Sequence, residues 1–347
     1  MTLNAFHWLI ALPLIATPFI YLTGRVGQRM KRRKTAQVVC FGCLAATWIP
    51  FLLAANDYAA SGTLAFNIGN ISLQLDGLSL LFIGVTLSLG TLVALFSESY
   101  LAKETGQEKF FAMLVAMIGV MIGLACASDL FNLWIWFEAM AVTSYLLVAF
   151  YRDQPPSLEA GVKYLVQSAA GSTLVLIGIS LVFSQYGDLS LASIRQSATL
   201  SPVLLAAGGL FIIGFGVKTA LVPLHTWLPD AHSQAPSGIS AMLSGVVIEA
   251  GLIAMLRCLS ALSEISSVWG VLLMGFGGLN MLAGNLLALG QRQVKRMFAY
   301  SSIAHVGYML AGLGIAYYTN NPNGAQGSFF HLINHGIMKG LAFLAAG

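Results

Sequence analysis

Eleven apolar stretches follow one another through this chain of 347 residues, with short polar connections between them. Their approximate limits are 7–23, 35–55, 77–98, 110–127, 129–150, 161–185, 202–222, 238–260, 266–290, 293–317 and 328–347. A helix of about 20 residues spans the roughly 30 Å of a bilayer's hydrocarbon core. Charged residues make up 9% of the chain, against about 25% in a soluble protein. The sequence therefore predicts an all-α polytopic membrane protein, with eleven spans in this chain. The last stretch runs to Gly347 without a polar flank, so the chain is expected to stop inside a longer protein. The first is not expected to be a cleaved signal, because its basic cluster follows it rather than precedes it.

Basic residues sort by connection. Arg25, Arg29, Lys31, Arg32, Arg33 and Lys34 lie in the first, Lys103 and Lys109 in the third, Arg152 in the fifth, and Arg292, Lys295 and Arg296 in the ninth. The even connections hold Arg195, with Arg257 near a span end. By the positive-inside rule the odd connections are cytoplasmic and the N-terminus is on the outer side. This asymmetry accounts for the net charge of +4; no nucleic-acid partner is implied, and the basic loop suits membrane lipid. Between the second and third spans, TLAFNIGNISLQLD alternates and contains Gly-Asn, as a short surface hairpin does. Cys40 and Cys43 form a C-x-x-C inside an apolar span with no second ligand pair, and read as small core residues.

Five ionisable residues fall inside spans: Glu138, Lys163, Lys218, Glu249 and Lys339. Each costs about 2.5–3.5 kcal/mol to insert, so such residues face protein or water and mark ion paths. Lys163, close to a span end, also has a snorkelling explanation. Burial disfavours the charge on lysine and glutamate alike, while proximity favours it on both. A buried Lys–Glu pair is thus bistable, the ingredient of a proton relay. In LFIIGFGVKTALVPLHTWLPDAH, Pro223 removes a helical bond at Thr219, beside Lys218, and Pro229 is expected to do the same at His225. Broken membrane helices line cavities and ion sites. His225, Asp230 and His232 read as a polar mouth to that cavity rather than a metal site. In FFHLINHGIMKGLAFLAAG, His331, His335 and Lys339 stand at i, i+4 and i+8, on one helical stripe. His305 on the preceding span is a further relay candidate. KYLVQSAAG (163–171) and KGLAFLAAG (339–347) share K-x-L-x-x-x-A-A-G five spans apart, the mark of an inverted repeat. The same spacing predicts a second broken helix, with its own ionisable residue, beyond Gly347.

LFNLWIWFEAMAVTSYLLVAF, GFGVKTALVPLHTWLPDAHSQAPSGISAMLSG, QVKRMFAYSSIAHVGYMLAGLG and HGIMKGLAFLAAG together resemble the antiporter-like membrane subunits of complex I-type NAD(P)H:quinone oxidoreductases. Mrp-type cation/proton antiporters and membrane-bound hydrogenases share this subunit type. The resemblance runs from about residue 77 onward, and K-T-A-x-x-P-L-H-x-W-L-P-D-A-H is its most specific string. It implies about fourteen transmembrane helices in the full protein, in inverted five-helix repeats with a broken seventh helix. An N-terminal three-helix segment (1–109) would precede the first repeat (110–260) and the start of the second (266–347). It further implies a half-channel in each repeat. Glu138 becomes the fifth-helix carboxylate, Lys218 the broken-helix lysine it pairs with, and His335 and Lys339 the central and exit side of the path. Glu249 departs from the family, which usually has lysine there.

The expected function is a proton-translocating subunit of a redox-driven NAD(P)H:quinone oxidoreductase, in a bacterial inner membrane or an organellar energy-converting membrane. The relay would be Glu138, Lys218, Glu249, His335 and Lys339, with Lys163, His225, His305 and His331 as secondary candidates. No flavin, iron–sulfur or nicotinamide motif is present, so no cofactor or metal is expected in this chain, and redox chemistry falls to other membrane subunits of the complex. The alternatives are a subunit of an Mrp-type Na+/H+ antiporter, favoured by a carboxylate at Glu249 that can ligate Na+, or of a membrane-bound hydrogenase.

Overall fold

The computed structural model describes residues 5–30, 32, 34–68, 71–262 and 266–347. Lys31, Arg33, Gly69 and Asn70, used above for orientation and for the hairpin turn, lie outside the described residues. Three long helices come first: α1 (Ala5–Arg29), α2 (Thr35–Ser61) and α3 (Gly77–Tyr100). The hairpin β1 (Leu64–Ile68) and β2 (Ile71–Leu75) joins the last two, paired antiparallel from Leu64 opposite Leu75 to Ile68 opposite Ile71. Next come α4 (Gln107–Cys126), α5 (Leu130–Val148), α6 (Pro155–Tyr186), the short α7 (Leu191–Ser197) and α8 (Pro202–Lys218). After the break lie α9 (Trp227–Gln234) and a span in two pieces, α10 (Ser237–Met242) and α11 (Ile248–Ala261), joined by a π turn at Leu243–Val247. α12 (Ser266–Leu289), α13 (Val294–Thr319) and α14 (Pro322–Ala345) complete the described chain.

Each predicted apolar stretch is met by a helix. Among the described residues nine are long and apolar enough to cross a membrane. α8 is apolar but short, because it stops at Lys218; α14 has the length but not the hydropathy, since its inner stripe is polar. Local chemistry sets the ends. Asp76 caps α3 and its carboxylate accepts the Ser79 N–H at 2.8 Å; Asp129 caps α5 through the Asn132 N–H at 2.7 Å. Pro155 and Pro202 sit in the first turns of α6 and α8, where a missing N–H costs nothing.

The centre of the bundle is the α10–α11 span, wholly buried, with α4 nearly so beside it. Lipid gives no hydrophobic drive to helix association, so close packing decides which helices touch. α6 and α8 cross at Gly171 and Gly214, where a Cβ on Gly171 would fall 2.7 Å from the Gly214 carbonyl oxygen. The connections divide between two faces. On one, Leu130 N–H donates to Leu189 O (2.9 Å) and Leu191 N–H to Ser128 O (3.0 Å), while Arg257 pairs with Asp76 at 3.1 Å. With the Ser128 N–H donating to Ser72 O (3.4 Å), this interlocks the second, fourth and sixth connections with the last turns of α11. On the other, Lys34 pairs with Glu98 (2.8 Å), and Asp230 with both Lys163 (3.0 Å) and Arg296 (2.7 Å). Those residues lie in the odd connections or in the helix turns next to them.

Candidate functional site

The break after α8 is a built feature. The N–H groups of Thr219, Ala220 and Leu221 still bond back to the Phe215, Val217 and Gly216 carbonyls (3.0, 3.2 and 2.8 Å), and then the helix ends. The Ala220 backbone turns left-handed, with φ 55°. Asn280 of α12, wholly buried, replaces the lost helical partners. Its side-chain oxygen accepts the Val222 N–H at 2.8 Å, and its amide donates to the Ala220 and Ile303 carbonyls at 3.3 Å. Trp227 donates its indole N–H to the Val217 carbonyl at 2.7 Å. At membrane depth irregular backbone survives only where protein or water supplies such partners. Sequence reading missed Asn280; the signal was an amide isolated in an apolar run. The expected second break at Pro229 is absent. Pro229 lies in the first turn of α9, where no N–H is needed, and the His225 carbonyl accepts the Leu228 N–H at 3.0 Å.

Lys218 is 1% exposed. Its ammonium donates to the Tyr164 hydroxyl at 2.6 Å and lies 4.5 Å from the Tyr164 ring centroid and 5.8 Å from that of Phe137. Tyr164 in turn stacks on Trp227, with centroids 4.0 Å apart. Glu138, the next residue along α5 from Phe137, is within Coulombic reach of Lys218. Among the described residues, however, the two form no ion pair within 4.0 Å, and Glu138 Oε1 is buried without a hydrogen-bond partner. The hydrogen-bond partner of the Lys218 ammonium is thus the Tyr164 hydroxyl, with Glu138 farther off. Tyr164, the immediate partner, was not singled out from the sequence, because an aromatic at that spacing reads as core.

One turn of α11 links this lysine to the histidines. A Cβ on Gly251 would lie 3.0 Å from the Lys218 Cβ, while Glu249, two residues earlier, turns toward α14. There Glu249 Oε1 meets His335 Nδ1 at 2.8 Å, both side chains 0% exposed. Glycines permit the approach: a Cβ on Gly245, in the π turn, would fall 3.1 Å from the Gly336 carbonyl oxygen. His331, His335 and Lys339 share the inner face of α14. His305 Nδ1 lies 3.0 Å from His331 Nε2, and its ring centroid is 5.4 Å from that of His335. Lys339 donates to Ser301 Oγ at 2.7 Å and to the Phe298 carbonyl at 3.3 Å.

Two other candidates stand apart. Lys163 is half-exposed on the odd face, ion-paired with Glu159 (2.7 Å) and Asp230. His225, in the break, has its ring 6.1 Å from Tyr300. The expected exit role of Lys339 meets a geometric objection. Ser301 and Phe298 belong to the first turns of α13, which starts from the ninth connection, so Lys339 lies toward the odd face and His331 toward the even one. Among the described residues no group of three or more His, Cys, Asp or Glu is placed to hold a metal ion.

The family described as "NADH:quinone oxidoreductase/Mrp antiporter, TM" matches residues 127–347, and "NADH-Ubiquinone oxidoreductase (complex I), chain 5 N-terminus" matches residues 61–111. This chain belongs to that antiporter-like family. The antiporter-like chain is 32% identical over 345 residues to F(420)H(2) dehydrogenase subunit N of Methanosarcina mazei, covering 96% of its own length and 68% of the relative. It is 35% identical over 297 residues to Hydrogenase-4 component B of Escherichia coli (81% and 44%). It is 34% identical over 293 residues to a Na(+)/H(+) antiporter subunit of Alkalihalophilus pseudofirmus (80% and 36%). It spans about half the length of most of the curated relatives it matches. Among solved structures, a chain of the membrane-bound sulfane sulfur reductase, an archaeal respiratory membrane complex, superposes with TM-score 0.90 at 29% identity over 98% of this chain and 70% of that one. The antiporter-like subunit is thus an integral, multi-pass membrane protein.

Proposed function

We propose that this chain is the proton-translocating membrane subunit of a redox-driven, complex I-type assembly, with the redox cofactors held by partner subunits. One observation carries the reading: Lys218 is buried at a helix break with a neutral hydroxyl as its immediate partner. Desolvating an ammonium costs several kcal/mol, and a phenol offsets little of it. The charge state of Lys218 then depends on how closely Glu138 and internal water approach. Moving one charge across 100 mV is worth about 2.3 kcal/mol, which is under two pKa units at about 1.36 kcal/mol each. A small movement of Glu138 supplies that scale. The proton released passes along α11 to Glu249 and His335, and from there to His305 and His331 toward the even face. Lys339 connects the same centre to the odd face. In this reading the odd face is cytoplasmic and the N-terminus lies outside.

The Na+/H+ alternative draws support from the similarity to a sodium–proton antiporter component. Glu249 weakens it, because its neighbour is an imidazole nitrogen and Na+, a hard cation, takes oxygen ligands. The test is Lys218→Ala in the assembled complex. In inside-out membrane vesicles, the rate of proton pumping should fall by about 100-fold, with the amount of assembled complex unchanged. An unaltered rate would overturn the proposal. Sodium-dependent transport that disappears in Glu249→Gln would move it to the antiporter reading.

A further inference from the structure

His232 is a buried titratable group that the Lys218 centre does not use. His232 is 0% exposed, and neither ring nitrogen has a hydrogen-bond partner. Its place follows from the PDAH turn of α9. Asp230 is held at the odd face by Lys163 and Arg296. Two residues on, about 200° around the helix, His232 points inward. Its ring lies flat on Phe343, with centroids 4.4 Å apart and 10° between planes.

Phe343 is one turn from Lys339 on α14. Lys295 is about one turn from Phe298 on α13, and the Phe298 carbonyl accepts from Lys339. Both lysines are within Coulombic reach of the His232 ring. Lys295 also donates to the Ala235 carbonyl at 3.1 Å, at the end of α9. Toward the odd face it adjoins Tyr100, which itself lies beside Tyr151 and Ser237. Lys339 and Lys295 thus act on the His232 ring, and Asp230, two residues back on α9, is taken up by Lys163 and Arg296.

We infer that His232 is a proton-carrying residue of an inlet that joins the odd face to Lys339 through Lys295. The inference rests on the proton-translocating reading above. A buried imidazole with both nitrogens unbonded costs stability that a phenylalanine of similar shape would avoid, whereas carrying a proton requires both nitrogens. In the step, one ring nitrogen of neutral His232 takes a proton from the Lys295 ammonium. The other gives its own proton to the neutral Lys339 amine. One proton enters the ring and one leaves; no electrons move, and Lys295 is reprotonated from the odd-side solution. Neither amine bonds the ring directly among the described residues, so the step requires water to enter the two gaps. Histidine alone has two exchangeable ring nitrogens and an ordinary pKa close to neutral.

The test uses the whole complex in inside-out vesicles, reading the rate of proton pumping with a pH-sensitive dye. His232→Phe keeps the stacking on Phe343 and removes the proton carrier; His232→Gln keeps polarity instead. Both should lower that rate by about 100-fold. Lys295→Met, one step upstream, should act alike and assemble independently of residue 232. If the assembled His232→Phe or His232→Gln complex pumps normally, the inference is wrong. If neither His232 variant assembles, normal pumping by Lys295→Met overturns it just as well. Lys218→Ala in parallel separates the two ideas: loss there with normal pumping in the His232 variants leaves the proposed function standing and removes only the inlet. Normal pumping in Lys218→Ala removes the reading on which both rest.

Discussion

Lys163 and Lys339 open the same nine-residue pattern, yet they live in different electrostatic worlds. Lys163 is 48% exposed and shared by two carboxylates, Glu159 and Asp230. Lys339 is 3% exposed, with a serine hydroxyl and a backbone carbonyl as partners and, among the described residues, no carboxylate within ion-pair distance. A shared sequence pattern therefore does not fix a residue's role. What differs is the element opposite. α6 presents Lys163 to the acidic turn of α9, whereas α14 presents Lys339 to neutral oxygens in the first turns of α13. An exposed lysine between two carboxylates stays charged and holds elements together. A buried lysine among neutral acceptors is poised to give up its proton.

The largest effect that this contrast predicts is on transport. Lys339→Met should lower proton pumping by about 100-fold, while assembly and heat stability hold or improve, because an apolar chain of similar volume replaces a buried charge. Normal pumping in that variant would erase the contrast. Asn280→Leu should come next. It strips the partners from Val222 N–H and the Ala220 carbonyl at about 1–3 kcal/mol each, seen as a lower thermal midpoint in detergent. A midpoint equal to the parent's would mean that the break needs no support from α12.

Asp76 offers a pH test on the even face, outside the spans. Burial works to raise its carboxyl, but Arg257 and the Ser79 N–H and hydroxyl outweigh it and hold the group below its ordinary 3.8. A depressed carboxyl contributes stability above that ordinary value and loses it as the pH falls through the lower folded one. Asp76→Asn should cost about 1–3 kcal/mol at neutral pH and flatten the acid loss below about pH 4, measured by thermal unfolding across an acid series. An acid limb as steep as the parent's would place the sensitive group elsewhere. The smallest effect belongs to Lys163→Ala, which should leave pumping unchanged. A pumping defect as deep as that of Lys339→Met would make the two lysines equivalent after all.

The sequence alone determined the helices and the two faces. Hydrocarbon thickness demands apolar runs of fixed length, and basic residues outside the spans gather in odd connections. It also marked Lys218, Glu249, His335 and Lys339, because ionisable groups are scarce and costly at membrane depth. What it did not determine was who meets whom. Tyr164 as partner of Lys218, Asn280 as the splint of the break, and Glu249 against His335 each depend on long-range packing. An amide, a phenol or a glycine looks ordinary along the chain. Only the crossing of helices at Gly171 with Gly214 and at Gly245 with Gly336 brings such groups within hydrogen-bond reach, and that crossing is a property of the assembled bundle.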